Sequence, residues 1–456
     1  MQRYDVVIIG SGTAGQSAAN NLAAEGYNVA LVEESERPGG VCALRGCQAK
    51  KWFYEVAETV ARGRHLMDIG VTDPPQVNWR QILVEKNKFT EKIPENTVKN
   101  LRGNEVAYLE GTAKFIDKSI LQAGAQTITA RYFIIASGAK PVELDLDGSE
   151  YLATSDDFLE LENLPTRIAF IGGGFISFEF AHFAARLGCR KSDVHILEKH
   201  SRPLQPFDAD MVSQLVEASE AEGIRLHTDV SIAAIRKQNS HYQVIMDGGE
   251  TLEVDLVVNG AGRAPQLDSL NLESAGVEYA KTGIEVDRSM RTSQPHIFAV
   301  GDCAATLKLA RVADMEAKIA AEAIVAAEEG GESPCIDYTA APAVLFSYPQ
   351  LGMVGKTEQA LQEEGIKYWR SYDTRLSLPT YRRLGLKHAA YKILVDADDR
   401  ILGAHFLSDN ATGMLNTFKQ AMIDKTPISK LRDDHIMAPY PSRESDILYM
   451  LSPLLE

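Results

Sequence analysis

The chain opens with an unbroken apolar run, Val6-Val7-Ile8-Ile9, which predicts a strand. It continues Gly10-x-Gly12-x-x-Gly15, an alanine-rich stretch with helical spacing, and a second apolar strand that ends at Glu33. The same succession returns at RIAFIGGGFISFEFAHFAARLG, with Gly172 and Gly174 after a strand, Ser177 in the third small position, and Glu198 closing the next strand. Between the two lies KKWFYEVAETVARGRHL, an amphipathic helical pattern, and far downstream the short strand IFAV runs into Gly301-Asp302. Strands alternating with helices in this way predict an α/β protein with parallel sheets.

Each strand–glycine–helix–acid unit has the parts of a dinucleotide site. Gly10 permits the tight turn, Gly12 lets backbone approach a pyrophosphate at the helix N-terminus, and Gly15 lets helix and strand pack closely. Glu33 accepts from ribose hydroxyls. In the second unit Ser177 is still small enough for close packing. Two units predict two bound dinucleotides. Glu198 stands where an NAD ribose is gripped and where a 2′-phosphate would meet a like charge, so NAD(H) is favoured over NADP(H). Lys199, His200 and Arg202 follow at once and are candidate phosphate partners, which leaves the coenzyme open.

Length and charge narrow the class. The 456 residues suffice for about three domains, and 45% hydrophobic with 24% charged residues is a folded composition. A net charge of −16 disfavours a phosphate-backbone partner, so nucleic acid is not expected. No run approaches the ~18 apolar residues of a membrane helix, and the chain enters its first strand without a basic leader; the expectation is a cytoplasmic protein with no anchor.

Five cysteines are too few and too scattered for a disulfide scaffold. Cys189, Cys303 and Cys335 are single thiols, expected to be buried. Cys42 and Cys47, in GGVCALRGCQAKK, form a close pair leading into the amphipathic helix, with Cys47 at or near its N-terminus, where the helix dipole favours thiolate. The residues alone leave redox exchange, a zinc site and a structural pair open. Zinc lacks a second pair or a histidine cluster to complete four ligands, so no metal is expected.

With its landmarks in this order, the chain resembles the FAD-dependent pyridine nucleotide-disulfide oxidoreductases, among them dihydrolipoamide dehydrogenase, glutathione reductase and mercuric reductase. The resemblance includes ASGAKP, NGAGRAP, KTGIEVDRSMRTS and the tail opening YTAAPAVLFSYPQLGMVG. It implies two Rossmann-like domains, for FAD and NAD(P), and a C-terminal α+β dimerisation domain. The FAD domain would take 1–143 and 259–334, the NAD(P) domain 144–258, and the interface domain 335–456. A homodimer acting on a small molecule or small thiol/disulfide is implied, with each site drawing on both subunits.

By resemblance, Gly10, Gly12, Gly15 and Glu33 hold the adenosine and pyrophosphate of FAD, Asp302 binds its ribityl chain, and Ala113, Ser137, Gly138 and Ala310 touch it too; Gly40, Gly262 and Gly301 are further cofactor-binding positions. Gly172, Gly174, Ser177 and Glu198 hold the nicotinamide coenzyme. Cys47 is then the thiol beside the flavin, and Cys42, nearer solvent, the one that exchanges with substrate. Relatives set a lysine of this turn beside the flavin, paired with Glu179; Lys50 and Lys51 both qualify, and Lys51 is preferred.

The tail departs from the pattern. Thiol-reducing members carry a histidine that acts from the partner subunit as acid and base; Tyr440 stands at that position, Ser445 where its glutamate belongs, and His435 falls five residues early. A tyrosine with pKa near ~10 donates a hydrogen bond where a histidine exchanges a proton. Glutathione disulfide and lipoamide are therefore poor candidates, and a small disulfide, persulfide or related acceptor is expected. A soft-metal reductase is the alternative, although the C-terminal cysteines of mercuric reductases are missing, and so is an NADH oxidase, quinone reductase or transhydrogenase that needs no thiol substrate. A scaffold that has lost catalysis is the reading from another class, opposed by the presence of both cysteines, Glu179 and the lysines.

Overall fold

A computed structural model describes residues 2–73, 75–188 and 193–455. The described chain forms two compact units: Met1–Trp52, Leu83–Val142 and Arg263–Tyr338 make the first, and Phe53–Ile82, Glu143–Gly262 and Thr339–Glu456 the second.

The first unit is built on β1 (Gln2–Ile9), β2 (Val29–Glu33), β3 (Ala107–Glu110), β4 (Ala113–Phe115), β5 (Ile120–Ala123) and β6 (Gln126–Ile135). Their order is β3-β2-β1-β6-β5-β4, with Ile297–Ala299 pairing the later half of β6 in parallel. β1 runs parallel to β2 and β6, with Val7 opposite Ala30 and Phe133. Val6 and Ile8 enter one core cluster while Val7 and Ile9 enter another, which is why the run is apolar throughout: both faces are covered. On one face lies α1 (Thr13–Ala24), packing Ala14, Ala18 and Leu22 with Ala317, Ala320 and Ile324 of the helix Ala310–Glu329.

Gly10 has φ +104°, and a Cβ on Gly15 would run into the Gly10 carbonyl, so this turn and this helix-to-strand approach both need glycine. Two helices follow β2: the short α2 (Gly40–Leu44) and the 19-residue α3 (Cys47–His65).

In the second unit a parallel sheet runs Ile224–His227, Asp193–Leu197, Arg167–Ile171, Leu256–Asn259, with the helix Phe175–Leu187 after its third member in this order. The tail contributes a five-stranded antiparallel sheet, including Gln350–Gly355, Ala390–Val395 and Ile401–Ser408. The helix Ala411–Ile423 packs Met414, Leu415 and Phe418 into the same core as Ile393 and Phe406. Lys392 of that sheet is 1% exposed and meets Asp208 at 2.9 Å, Asp210 at 2.6 Å and Glu358 at 2.7 Å.

The single cysteines divide. Cys303 is buried, its Sγ donating to the carbonyls of Ile135 and Val300 at 3.3 Å, as expected. Cys335 is exposed, against expectation: it lies in the irregular segment after the helix Ala310–Glu329, where no element covers it. Cys189 lies outside the described residues.

Candidate active site

The first nucleotide loop is held from two sides. The Glu33 carboxylate accepts from the backbone N–H of Ser11 at 2.7 Å and of Ser35 at 2.8 Å, fixing it at the end of β2. The Ser11 hydroxyl accepts from the Gly39 N–H at 2.9 Å, which draws the next turn onto the loop. A Cβ on Gly40 would strike the Cα of Gly12, so Gly40 must be glycine for these backbones to touch. Gly12 is the N-cap of α1. A backbone bare of side chains, a helix N-terminus and a pinned acid at the strand end make a cradle that fits the pyrophosphate and ribose of FAD.

Other predicted contacts lie in the same unit. Ala113 begins β4, buried; Ser137 and Gly138 follow β6; Ala310 begins the long helix. Gly301 (φ +73°) and Asp302 form a short turn after Ile297–Ala299. Burial raises the Asp302 pKa, partly offset by Arg263 and Lys308.

The cysteines sit on the turn that Gly39 and Gly40 tie to this loop. Cys47 is the first residue of α3, and the Gly46 carbonyl accepts from Lys50 N–H at 2.9 Å, beginning that helix. Cys42 hydrogen-bonds Cys47 and the Thr13 side chain at the start of α1. The Cys47 hydrogen bond, and then burial, push the Cys42 thiol well up; Thr13 works in the other direction. Cys42 is half-buried beside the start of α1, and Cys47, at the head of α3, is exposed. Lys50 and Lys51 are both half-buried in the first turn of α3, which has no acidic residue.

In the second unit a cavity of about 480 Å³ is lined by Gly172, Gly174, Phe175, Glu198, His200 and Gly262, among others. Gly174 is the N-cap of the helix Phe175–Leu187, and Gly172 takes φ +94°. Glu198 uses both carboxylate oxygens on backbone, accepting from Gly173 N–H and, at 2.7 Å, from His200 N–H. A Cβ on Gly260 would strike the buried Ser177 hydroxyl, so the substituted third position still permits close packing. Gly262, expected to bind a cofactor, lines this cavity. Arg202 donates to the carbonyls of Phe207 and Gln205, both at 2.9 Å.

Glu179 is 1% exposed on the same helix and accepts from Phe346 N–H at 2.9 Å. Tyr440 is 79% exposed. His435 is spent on the Leu431 carbonyl at 2.8 Å. Glu444 accepts from Asn410 at 2.7 Å, Ser445 exchanges hydrogen bonds with Ser442, and Asp446 accepts from Thr380; burial raises the Asp446 pKa. The acids that flank Ser445 thus hold the tail's own fold together. Sequence reasoning passed over Gly173, whose amide grips Glu198, and Glu316, which is fully buried. The signal for Glu316 was present: it falls on the apolar stripe Val312, Ala313, Ala317, Ala320 of an alanine-rich helix.

Two nucleotide cradles, one with a dithiol turn bound to it, define a flavin- and pyridine nucleotide-linked redox enzyme. Residues 4–317 match the family described as pyridine nucleotide-disulphide oxidoreductase, and residues 341–447 match its dimerisation domain. The chain belongs to this family, whose FAD chemistry and homodimeric assembly the matches support. It is 28% identical to a glutathione reductase of Schizosaccharomyces pombe, over 98% of each chain. To a dihydrolipoyl dehydrogenase of Staphylococcus aureus it is 30% identical, over 90% of this chain and 88% of that one. Among solved structures it is similar to the HOCl-induced flavoprotein disulfide reductase RclA from Escherichia coli in its Cu(II) complex, with TM-score 0.87 and 27% identity over the whole of both chains. No helix of the described residues is long and apolar enough to cross a membrane.

Proposed function

We propose that the enzyme is an NAD(P)H oxidoreductase that cycles Cys42 and Cys47 between dithiol and disulfide and delivers two electrons to a small disulfide, persulfide or related thiophilic acceptor. The observation that carries this reading is the hydrogen-bonded Cys42–Cys47 pair on a turn tied to the first nucleotide loop. FAD, when bound, supplies the two-electron path between nicotinamide and thiols. In our assignment it occupies a domain of 1–143 and 259–334, the coenzyme one of 144–258, and 335–456 forms the dimer. Gly10, Gly12, Gly15, Glu33, Gly40, Ala113, Ser137, Gly138, Gly301, Asp302 and Ala310 serve the flavin; Gly172, Gly174, Ser177 and Glu198 serve the coenzyme, with Gly262 beside them. Lys51 and Glu179 tune hydride transfer.

The thiol chemistry balances without a further reactant. The Cys42 thiolate attacks a disulfide RSSR and releases RS⁻; the Cys47 thiolate then attacks Cys42 sulfur of the mixed disulfide, releasing the second RS⁻ and leaving the Cys42–Cys47 disulfide, and the protons shed by the two cysteines balance the two thiols RSH. NAD(P)H returns it to the dithiol. Cys42 must shed its proton first, and Tyr440 donates a hydrogen bond rather than taking a proton. Poor service to ordinary disulfides at neutral pH follows. A cytoplasmic setting, where thiols stay reduced, suits such a cycle.

NADH is the preferred coenzyme in this reading, because Glu198 is fixed by two amides at the cavity and Arg202 is turned onto carbonyls. A second reading, reduction of a soft metal ion, is favoured by the Cu(II) complex of the similar reductase together with Tyr440.

Anaerobic titration of the FAD-loaded protein with NADH and with NADPH, followed by disulfides, persulfides, Cu(II) and quinones as acceptors, separates these. The first reading expects a long-wavelength thiolate–flavin band on reduction and loss of at least about 100-fold of activity in Cys42→Ser, since the attacking atom is gone. Wild-type turnover of that variant on every acceptor would overturn it. Turnover confined to Cu(II) selects the second.

A further inference from the structure

We infer that Glu316 and Tyr338 are positioning residues for the flavin, acting through the Gly301–Asp302 turn. Glu316 is completely buried in the helix Ala310–Glu329, at the foot of the strand Ile297–Ala299. One carboxylate oxygen accepts from Gly301 N–H at 2.7 Å, the other from the Tyr338 hydroxyl at 2.8 Å. An ionisable side chain in such a place is costly unless its hydrogen bonds are made, and here both oxygens have a donor. Its place is chosen by the turn. Gly301 has φ +73° and its amide points into the helix, so no strand partner serves it.

The surroundings explain why a carboxylate is used. Burial raises the Glu316 pKa; Thr306, Gly301 and Tyr338 counter it, and the Asp302 carboxyl adds repulsion. Asp302 in turn faces Arg263 and Lys308. Tyr338, held as a donor by burial and by Glu316, sits at the end of the first unit, where Ile336 N–H bonds the Arg288 carbonyl and Ser289 bonds the Pro334 carbonyl. A bridge of three groups therefore runs from the last segment of this unit, through one buried carboxylate, to the amide that precedes Asp302. Deleting any member frees the turn to swing Asp302 away from the ribityl hydroxyls it is assigned to hold.

This inference rests on FAD binding in the first unit and on nothing about the electron acceptor. The test is reconstitution of apoprotein with FAD, read by flavin fluorescence quenching and by the visible circular dichroism of bound flavin, for wild type, Glu316→Gln, Tyr338→Phe and the double variant. Glu316→Gln should weaken FAD binding by about ten-fold or more, as loss of a charge-assisted bond does, and change the visible dichroism; Tyr338→Phe should weaken it less. The double variant should bind no worse than Glu316→Gln alone, since the two act in one chain. Glu316→Asp, too short to span both donors, should not restore binding. Wild-type affinity and an unchanged flavin spectrum in Glu316→Gln and Tyr338→Phe would overturn the inference. Lowered melting temperatures with unaltered affinity would do the same, marking a structural role only. Failure of the wild-type apoprotein to bind FAD would instead remove the flavin reading itself.

Discussion

At the scale of single residues, Tyr440 and Glu198 carry the two sharpest expectations. Tyr440 offers a hydrogen-bond donor where a histidine would exchange protons, so the Cys42 thiol, held up by its bond to Cys47 and by burial, has no base waiting there. Turnover of a disulfide should therefore go on climbing as pH rises from neutrality past the ordinary thiol range, about 8.5, with no plateau there, a trend that steady-state rates against pH will show. Tyr440→His should flatten that rise and increase neutral-pH turnover by about a hundred-fold, the lower end of what a positioned general base contributes. An unchanged profile would mean that Tyr440 does not serve the thiols. For Glu198, replacement by alanine removes the anion fixed by Gly173 and His200, and kcat/KM for NADH should fall about ten-fold while NADPH is spared or improves.

At the scale of elements, the strand Ala390–Val395 meets the N-terminus of the helix Ala209–Ala221 and the start of the helix Glu358–Glu363 through Lys392 alone among its side chains' ammonium groups. Asp208, the N-cap of the first helix, would be left as a buried unpaired charge if the lysine were lost. Lys392→Ala should cost roughly 3–5 kcal/mol of stability, measured by denaturant unfolding with both coenzyme and FAD absent. The pH window follows from the signs. Burial opposes the Lys392 charge, but Asp210, Glu358 and Asp208 outweigh it and raise the ammonium to about 12. Its contribution is complete below the ordinary 10.5 and is lost as pH rises through about 12. Burial likewise opposes the Glu358 charge, and Lys392, Tyr368 and Arg370 outweigh it, lowering its pKa below 4.5; that share is lost only as pH falls below this value. The melting-temperature gap between wild type and Lys392→Ala should hold between these limits and close above pH 10.5.

Two other strands show what was legible in the chain. VVII and IAFI announced themselves because strands covered on both faces have no polar alternation, and the glycine spacings did so because backbone contact tolerates nothing larger. Contacts between distant polar residues left no such trace: Lys392 finds Asp208 across 184 positions, and nothing local in either segment marks the pairing. The exposure of Cys335 was missed because a lone cysteine carries no periodicity to read.

At the scale of the whole molecule, the first unit is assembled from three separated stretches of chain, the last of them Arg263–Tyr338. That stretch brings the strand Ile297–Ala299, the Gly301–Asp302 turn and Tyr338, while β1, β2 and the cysteine turn come from the first. A ribosome emits them in that order, so for most of translation the N-terminal sheet stands without its last parallel strand and with an apolar face bare. Such pairings of low sequence locality form slowly and leave sticky surface on view meanwhile. Stalled chains ending at residue 262 should retain no FAD, whereas chains released at residue 338 or later should capture it, which ribosome-bound nascent chains can report by flavin fluorescence. Elongation would then time the capture of flavin: the cofactor finds its cradle complete only once the chain has been made as far as Tyr338.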